Sequence, residues 1–99
     1  MKALIIIILV TNLALQAQNK PKIIAHRGAT SLAPENTISS FEIAIDMEVD
    51  FIELDVRKSS DDSLMVIHDA SVDRTTNSSG NVNSFTYSQL KSLDAGSYF

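Results

Sequence analysis

Apolar and polar positions follow three different patterns along this 99-residue chain. The first is an unbroken apolar run over residues 3–10, preceded by the charged start Met1-Lys2. This run is much shorter than the roughly 20 apolar residues that a membrane-spanning helix needs. A small residue, Ala17, follows this run at the distance usual for a signal-peptide cleavage site. The pattern is typical of a secretory signal peptide over residues 1–17, cleaved after Ala17.

The pattern beyond residue 17 predicts a strand, a helix and two further strands. Residues 22–25 are mostly apolar, as expected of a strand buried on both faces. An apolar stripe at helical spacing predicts a helix from about residue 37 to residue 50, with Asn36 or Thr37 as its N-cap. Alternation of apolar and polar residues then predicts strands at 51–56 and 64–68.

A second helix is predicted near residue 87. Thr86 and Gln89 have the spacing of a capping box, Phe85 and Leu90 could form the accompanying hydrophobic staple, and Gly96 is placed for a C-terminal stop. Strand, helix and strand in succession predict a parallel βαβ unit and therefore an α/β fold class. The connection between residues 56 and 64 is too short for a helical crossover, so those two strands should form an antiparallel ribbon.

Composition narrows the possible partners. The chain has 8 Lys and Arg against 12 Asp and Glu, and loss of Lys2 with the leader gives residues 18–99 a net charge of −5. Such an acidic chain is a poor candidate for binding nucleic acid. It has no cysteine for a disulfide or a lipid anchor. We therefore expect an exported protein, periplasmic or secreted, with no stable membrane anchor and no nucleic-acid partner.

Two carboxylates give the first indication of chemistry. Glu53 and Asp55 alternate on a predicted strand, so their side chains should stand on one face about 6.5–7 Å apart. On an enclosed face they would repel each other unless a cation lay between them, and a hard cation such as Mg²⁺ or Ca²⁺ takes oxygen ligands. The alternative is a half-exposed strand whose polar face is simply solvated.

Both histidines of the chain lie at or near the ends of predicted strands. His26 is followed by Arg27 and Gly28, and His68 is followed by Asp69. Ligands of parallel α/β sheets bind at the carboxyl ends of strands. Two imidazoles, a guanidinium and a carboxylate pair suit metal-assisted hydrolysis of an anionic ester. The alternative is that each histidine is a hydrogen-bonded structural residue.

Five motifs in order resemble those of the glycerophosphodiester phosphodiesterase family. They are Ile24-Ala25-His26-Arg27-Gly28, Ala33-Pro34-Glu35-Asn36-Thr37, Glu53-Leu54-Asp55-Val56, His68-Asp69 and Asp73-Arg74-Thr75-Thr76. The resemblance runs from Ile23 to about Phe99. It implies the (β/α)8 barrel of the phospholipase-C-like phosphodiesterases, which has a strand ribbon early in the chain.

The resemblance also implies roles for individual residues. His26 and His68 would be the general base and acid, in an order left open, and Arg27 would contact the phosphate. Glu53 and Asp55 would bind a divalent metal, Ca²⁺ or Mg²⁺. The reaction implied is hydrolysis of a small glycerophosphodiester to glycerol 3-phosphate and an alcohol. Other motif residues would either fix the loops around the site or simply form turns: Asn36, Asp69 and residues 73–75.

Length departs from the family pattern. A (β/α)8 barrel takes roughly 250 residues, whereas three strands are predicted here. Residues 18–99 are therefore expected to be the N-terminal part of an exported phosphodiesterase domain, inactive alone, with the third metal-binding carboxylate beyond Phe99. Two alternatives remain open: a truncated, non-catalytic secreted module that binds a metal or phosphate, and a related phospholipid phosphodiesterase. Head-group preference and oligomeric state are also open.

Overall fold

The computed structural model describes residues 20–99. The predicted signal peptide falls on residues 1–17 and therefore lies outside the described residues. Among the helices formed by residues 20–99, none is both long enough and apolar enough to pass through a lipid bilayer.

A parallel strand pair joined by a helix forms the first half of the described chain. Strand β1 is Ile24–His26, helix α1 is Ile38–Asp46 and strand β2 is Phe51–Glu53. The two strands pair in parallel, with Ile24 opposite Phe51 and His26 opposite Glu53. The predicted parallel βαβ unit is thus confirmed, because only a crossover such as α1 can bring two consecutive strands into parallel register.

Helix α1 begins where the sequence predicts and ends earlier. Thr37 is its N-cap, and its side chain and that of Ser40 form a reciprocal capping box. The predicted end at residue 50 is wrong, since Met47 is the C-cap and Glu48 has a left-handed φ of 56°. The early end has a physical reason: the Asp50 carboxylate accepts a hydrogen bond from the backbone N–H of Ile23, which ties the chain to the start of β1.

The strand predicted at residues 51–56 is divided in two. After β2, the chain breaks at Leu54 and Asp55 and resumes as β3, Val56–Lys58. Strand β3 pairs antiparallel with β4, Leu64–Val66, in a separate two-stranded sheet. The predicted antiparallel ribbon is confirmed, whereas the prediction of one continuous strand is wrong because the chain changes partner from β1 to β4. Strand β4 also ends at Val66 rather than at the predicted residue 68.

The second predicted helix is present as α2, Tyr87–Lys91, with Thr86 and Gln89 forming the predicted capping box. The buried apolar side chains are few and small: Ala33, Ala44, Val72 and Val82. Ala44 lies on α1, whereas Val72 and Val82 lie in the region after β4. Many large apolar residues stay exposed, including Ile24 and Phe51 of the parallel pair. The described residues therefore form a thin α/β layer whose buried side chains lie on α1 and in the loops that follow the strands.

Candidate active site

The ends of β1 and β2 place a histidine beside a carboxylate. His26 is the last residue of β1, Glu53 is the last residue of β2, and the two are register partners. His26 Nε2 lies 3.8 Å from Glu53 Oε2, and the His26 side chain is 69% exposed. Because parallel strands end on the same edge of a sheet, the pairing of β1 with β2 alone is enough to bring these two groups together.

Arg27 turns the chain away from β1 and folds its side chain into the protein. Arg27 and Gly28 both have positive φ angles, 62° and 88°. The Arg27 side chain is only 18% exposed and lies against two carboxylates, with Nη1 3.3 Å from Glu35 Oε1 and Nε 3.0 Å from Asp55 Oδ2. The Nε–H does not have hydrogen-bond geometry toward that oxygen, so the contact is an ion pair. Nη2 forms no hydrogen bond to residues 20–99.

Asp55 is fixed by Asn36 from the loop before α1. Asn36 Nδ2 donates to Asp55 Oδ2 at 3.0 Å, and the backbone N–H of Asp55 donates to Asn36 Oδ1 at 3.3 Å. The Asn36 hydrogen bond, aided by the positive charge of Arg27, holds the pKa of Asp55 below its usual range despite partial desolvation. Asn36, which the sequence left as a loop-fixing group or a turn former, therefore holds a predicted metal ligand in its ionised form.

Glu53 and Asp55 are not on one face of one strand, as their alternation predicted. Glu53 ends β2, and Asp55 lies in the break before β3. They still converge, because both contact Arg27: Glu53 Oε2 accepts from the Arg27 backbone N–H at 3.3 Å, and Asp55 Oδ2 lies beside Arg27 Nε. The turn at Arg27 thus gathers the two carboxylates that the broken strand separates.

His68 is oriented by its neighbour in sequence. His68 Nδ1 lies 2.8 Å from Asp69 Oδ1, and Arg74 donates to both oxygens of Asp69 at 2.8 and 3.0 Å. The Arg74 hydrogen bonds, followed by the contact with His68, hold the pKa of Asp69 well below its usual range. An ionised Asp69 requires the hydrogen on Nδ1, so the neutral imidazole has its acceptor nitrogen at Nε2.

Glu35 is a site residue for which no individual role was predicted. Its carboxylate lies between two guanidinium groups, receiving Arg27 Nη1 on one side and two hydrogen bonds from Arg74 on the other. The Arg74 hydrogen bonds lower the pKa of Glu35, with Arg27 adding to the effect. Its partners are 8 and 39 positions away along the chain, so its contacts with the two arginines could not be predicted from the local motif that contains it.

The donor set suits a divalent cation but supplies only part of its coordination shell. Four carboxylates face two guanidinium groups here, which leaves a formal charge of −2 with neutral histidines: Glu35, Glu53, Asp55 and Asp69 against Arg27 and Arg74. One oxygen of Glu53 and one of Asp55 accept no hydrogen bond from residues 20–99. Hard cations bind six or more oxygens, whereas within the described range no cluster of three His, Cys, Asp or Glu is placed to hold a metal.

Comparisons with known proteins agree on one family. The model of the glycerophosphoryl diester phosphodiesterase family matches residues 26–99. A protein of Caldanaerobacter subterraneus subsp. tengcongensis, named glycerophosphodiester phosphodiesterase, is 51% identical over 80 residues, which are 81% of this chain and 33% of the relative.

Solved structures show the same likeness. The crystal structure of a glycerophosphodiester phosphodiesterase from Agrobacterium tumefaciens matches with a TM-score of 0.79 and 49% identity, covering 81% of this chain and 35% of that one. An Oleispira antarctica phosphodiesterase, solved in complex with the product sn-glycerol-3-phosphate, matches with a TM-score of 0.76 and 40% identity, over 79% of this chain and 32% of that one.

The extent of these matches places the chain within a larger fold. It spans about a third of the length of each of the three proteins. The structural matches are barrel proteins, and the predicted fold class, part of a (β/α)8 barrel, is confirmed. The parallel pair β1–β2 with its crossover helix is a unit of such a barrel.

Proposed function

Because this chain belongs to the glycerophosphoryl diester phosphodiesterase family, we propose that the protein that carries it hydrolyses glycerophosphodiesters to glycerol 3-phosphate and an alcohol. One observation carries the proposal: the ends of two parallel strands bring His26, Arg27 and Glu53 to one edge, and Arg27 joins them to Asp55. The product bound in the Oleispira antarctica relative is the phosphate ester that this reaction would release.

Arg27 would bind the phosphate of the substrate. A guanidinium recognises phosphate oxygens through paired, charge-assisted N–H donors. Here the contacts with Glu35 and Asp55 fix the side chain through Nη1 and Nε. Nη2 is the group left to donate to a phosphate oxygen. A preset guanidinium loses little conformational freedom on binding, which favours recognition of the transition state.

The two histidines would move the protons. One imidazole takes the proton of a substrate glycerol hydroxyl as its oxygen attacks phosphorus, and the other protonates the departing alcohol oxygen. A cyclic phosphodiester results, and water then opens it to glycerol 3-phosphate with the roles reversed. The contact with Asp69 leaves Nε2 of His68 as the nitrogen for this exchange. His26 Nε2 lies 3.8 Å from Glu53 Oε2 at the ends of the two parallel strands.

Glu53 and Asp55 would hold a divalent cation, Mg²⁺ or Ca²⁺. The local excess of negative charge and the two free carboxylate oxygens support this assignment. When bound, such a cation polarises a phosphoryl oxygen and offsets the charge that develops there. Two carboxylates alone hold a hard cation weakly, so the complete site needs oxygen ligands beyond those of residues 20–99, and the 99-residue chain by itself would be inactive.

We propose the same cellular setting that the sequence predicts: cleavage of a leader over residues 1–17 and export to a periplasm or to the medium. The acidic composition favours a small-molecule partner over nucleic acid.

Release of glycerol 3-phosphate from glycerophosphocholine, measured with the protein at its natural length, tests the activity. We expect turnover that a chelator abolishes and that falls by about 100- to 10,000-fold in His26→Ala and His68→Ala, the usual contribution of acid–base groups. Lys58→Gln is the matched control, since it removes a cation from an exposed ion pair with Asp62. Absence of turnover in every form would indicate a non-catalytic binding module instead.

Turnover by His26→Ala at the parent rate would remove that histidine from the mechanism while leaving the family activity intact. A preference for an intact choline or inositol phospholipid over glycerophosphocholine, in the same assay, would change the substrate class and keep the chemistry.

A further inference from the structure

Arg74 lies outside the groups assigned to the reaction, yet it makes more side-chain hydrogen bonds than any of them. Nε and Nη2 donate to the two oxygens of Asp69, and Nη1 and Nη2 donate to the two oxygens of Glu35. All four distances lie between 2.8 and 3.0 Å. One planar guanidinium therefore holds two carboxylates, each in the paired geometry that is strongest for this group.

The two carboxylates come from different loops of the site. Asp69 contacts Nδ1 of His68 in the loop after β4, and Glu35 contacts Arg27 in the loop after β1. Charges of alternating sign thus run from one proposed acid–base group to the proposed phosphate-binding group. We call this set the ion-pair chain, and its members are Arg27, Glu35, Arg74, Asp69 and His68.

The backbone around Arg74 is anchored, so its side chain has a fixed base. Val72 is fully buried and Thr75 is 6% exposed. The backbone N–H of Thr76 and its hydroxyl both donate to the carbonyl of Val72, at 3.1 and 2.7 Å. The four hydrogen bonds of Arg74 therefore start from a backbone that is held on both sides.

A lysine could not replace this arrangement. An ammonium is a point charge without a planar fork, and it cannot pair with two oxygens on each of two carboxylates at once. Arg74→Lys therefore preserves the positive charge at this position and removes the paired hydrogen-bond geometry. Arg74→Gln removes both.

We propose that Arg74 is a positioning residue for His68: by fixing both oxygens of Asp69, it holds the imidazole in the tautomer with the hydrogen on Nδ1 and the acceptor at Nε2. Free of Arg74, the Asp69 carboxylate can rotate or turn to solvent, and the imidazole then samples both tautomers. The consequence for catalysis rests on the proposed function, whereas the tautomer itself does not.

The first test is the long-range ¹H–¹⁵N spectrum of the imidazoles at a pH of about 8.5, two units above the ordinary histidine pKa. The peaks of His68 are identified by their loss in His68→Ala. We expect the Nδ1–H tautomer in the parent and in the control Lys58→Gln, and a mixture of tautomers in Arg74→Gln and Arg74→Lys. An unchanged Nδ1–H tautomer in Arg74→Lys, or in a folded Arg74→Gln, would overturn the proposal.

The second test is turnover of glycerophosphocholine by the same proteins at natural length. Loss of an outer partner of a metal-ligating side chain costs about 10- to 100-fold in metal affinity or activity, and we expect a loss of that order in kcat for both Arg74 variants. KM should change much less, because a positioning residue acts through His68 rather than by binding the substrate. Compared with Arg74→Gln, Arg74→Lys should have a higher melting temperature but no higher kcat.

The two tests separate the proposals from each other. If the parent shows no turnover while the tautomer depends on Arg74, the proposed function fails and the positioning role stands. If the parent turns over and kcat falls in Arg74→Lys while the tautomer stays Nδ1–H, Arg74 acts by another route and the positioning role fails.

Discussion

Replacement of Gly28 with alanine should destabilise the site more than the same replacement at Gly80 or Gly96. Gly28 follows Arg27 at the turn out of β1 and has a φ of 88°, in the left-handed region that residues with a side chain rarely adopt. A Cβ at this position would lie 2.7 Å from the Cβ and 2.9 Å from the carbonyl carbon of Ser40, and closer still to its Oγ. The turn therefore has no room for a side chain.

Ser40 cannot yield to the added methyl group. It is fully buried on α1, and its Oγ donates to the carbonyls of Arg27 and Thr37 at 3.2 and 2.9 Å. Its own carbonyl accepts from the backbone N–H of Ala29 at 3.0 Å. A left-handed backbone costs about 1–2 kcal/mol for a residue with a Cβ, and overpacking a tight contact costs about 1–3 kcal/mol. Together we expect a loss of about 2–5 kcal/mol from a total stability of about 5–15 kcal/mol.

Urea unfolding of the protein at natural length, followed by circular dichroism, measures this loss. Gly96→Ala is the matched control, because a Cβ there meets its neighbours only at 3.7 and 3.9 Å and the backbone φ is not left-handed. Ser40→Ala in the Gly28→Ala background should restore little, since the Cβ and carbonyl carbon of residue 40 remain in place. If Gly28→Ala unfolds at the same urea concentration as Gly96→Ala, the close packing of this turn against α1 is refuted.

Three further predictions concern the site and the leader. Asn36→Ala should weaken binding of Mg²⁺ or Ca²⁺ by about 10- to 100-fold, as expected when a partner of a metal-binding carboxylate is lost, and calorimetric titration of the metal would contradict this if the affinity stayed at the parent value. The pKa values of Glu35 and Asp69 lie below their ordinary values of 4.5 and 3.8, so these groups contribute stability that is complete above the ordinary values and is lost as the pH falls through the lower folded values. The melting temperature should therefore drop on acidification below about pH 4.5, and Arg74→Gln should make that drop smaller. Parallel curves for the two proteins would exclude the Arg74 contacts as its source. Protein recovered from outside the cytoplasm should begin at Gln18 by N-terminal sequencing, and an intact Met1 would rule out cleavage after Ala17.

The elements of the fold were predictable where their signals are local. The predicted capping box at Thr86 rests on residues three positions apart, and it is present. Thr37 was one of the two predicted N-caps of α1, and its capping box with Ser40 was not predicted. The parallel pair and the antiparallel ribbon followed from the lengths of their connections. The break at Leu54 and Asp55 was not predictable, because alternation continues through it and only the change of pairing partner, a long-range event, divides the strand.

The residues of the site can also be separated into those with a local signal in the sequence and those placed by long-range contacts. The strand-end position of His26 came from the pattern of the chain. Glu53 was predicted within a strand over residues 51–56, and it lies at a strand end only because that strand breaks after it. The place of Glu35 could not be derived, because it depends on where two arginines from distant loops direct their side chains. Asp55 shows an intermediate case: the residue was identified, but its contact with Arg27 results from the turn at residues 27–28 rather than from strand alternation.

The turn at Arg27 and Gly28 explains why the short strands of this chain can still build a site. Strand β1 has three residues, and its end alone could place only His26. The chain turns at two successive left-handed residues, Arg27 and Gly28, and the Arg27 side chain contacts carboxylates from two other segments. A residue with a side chain at position 28 would push α1 away and release the Arg27 carbonyl from Ser40. The glycine is therefore as much a part of the site as the charged groups that it gathers.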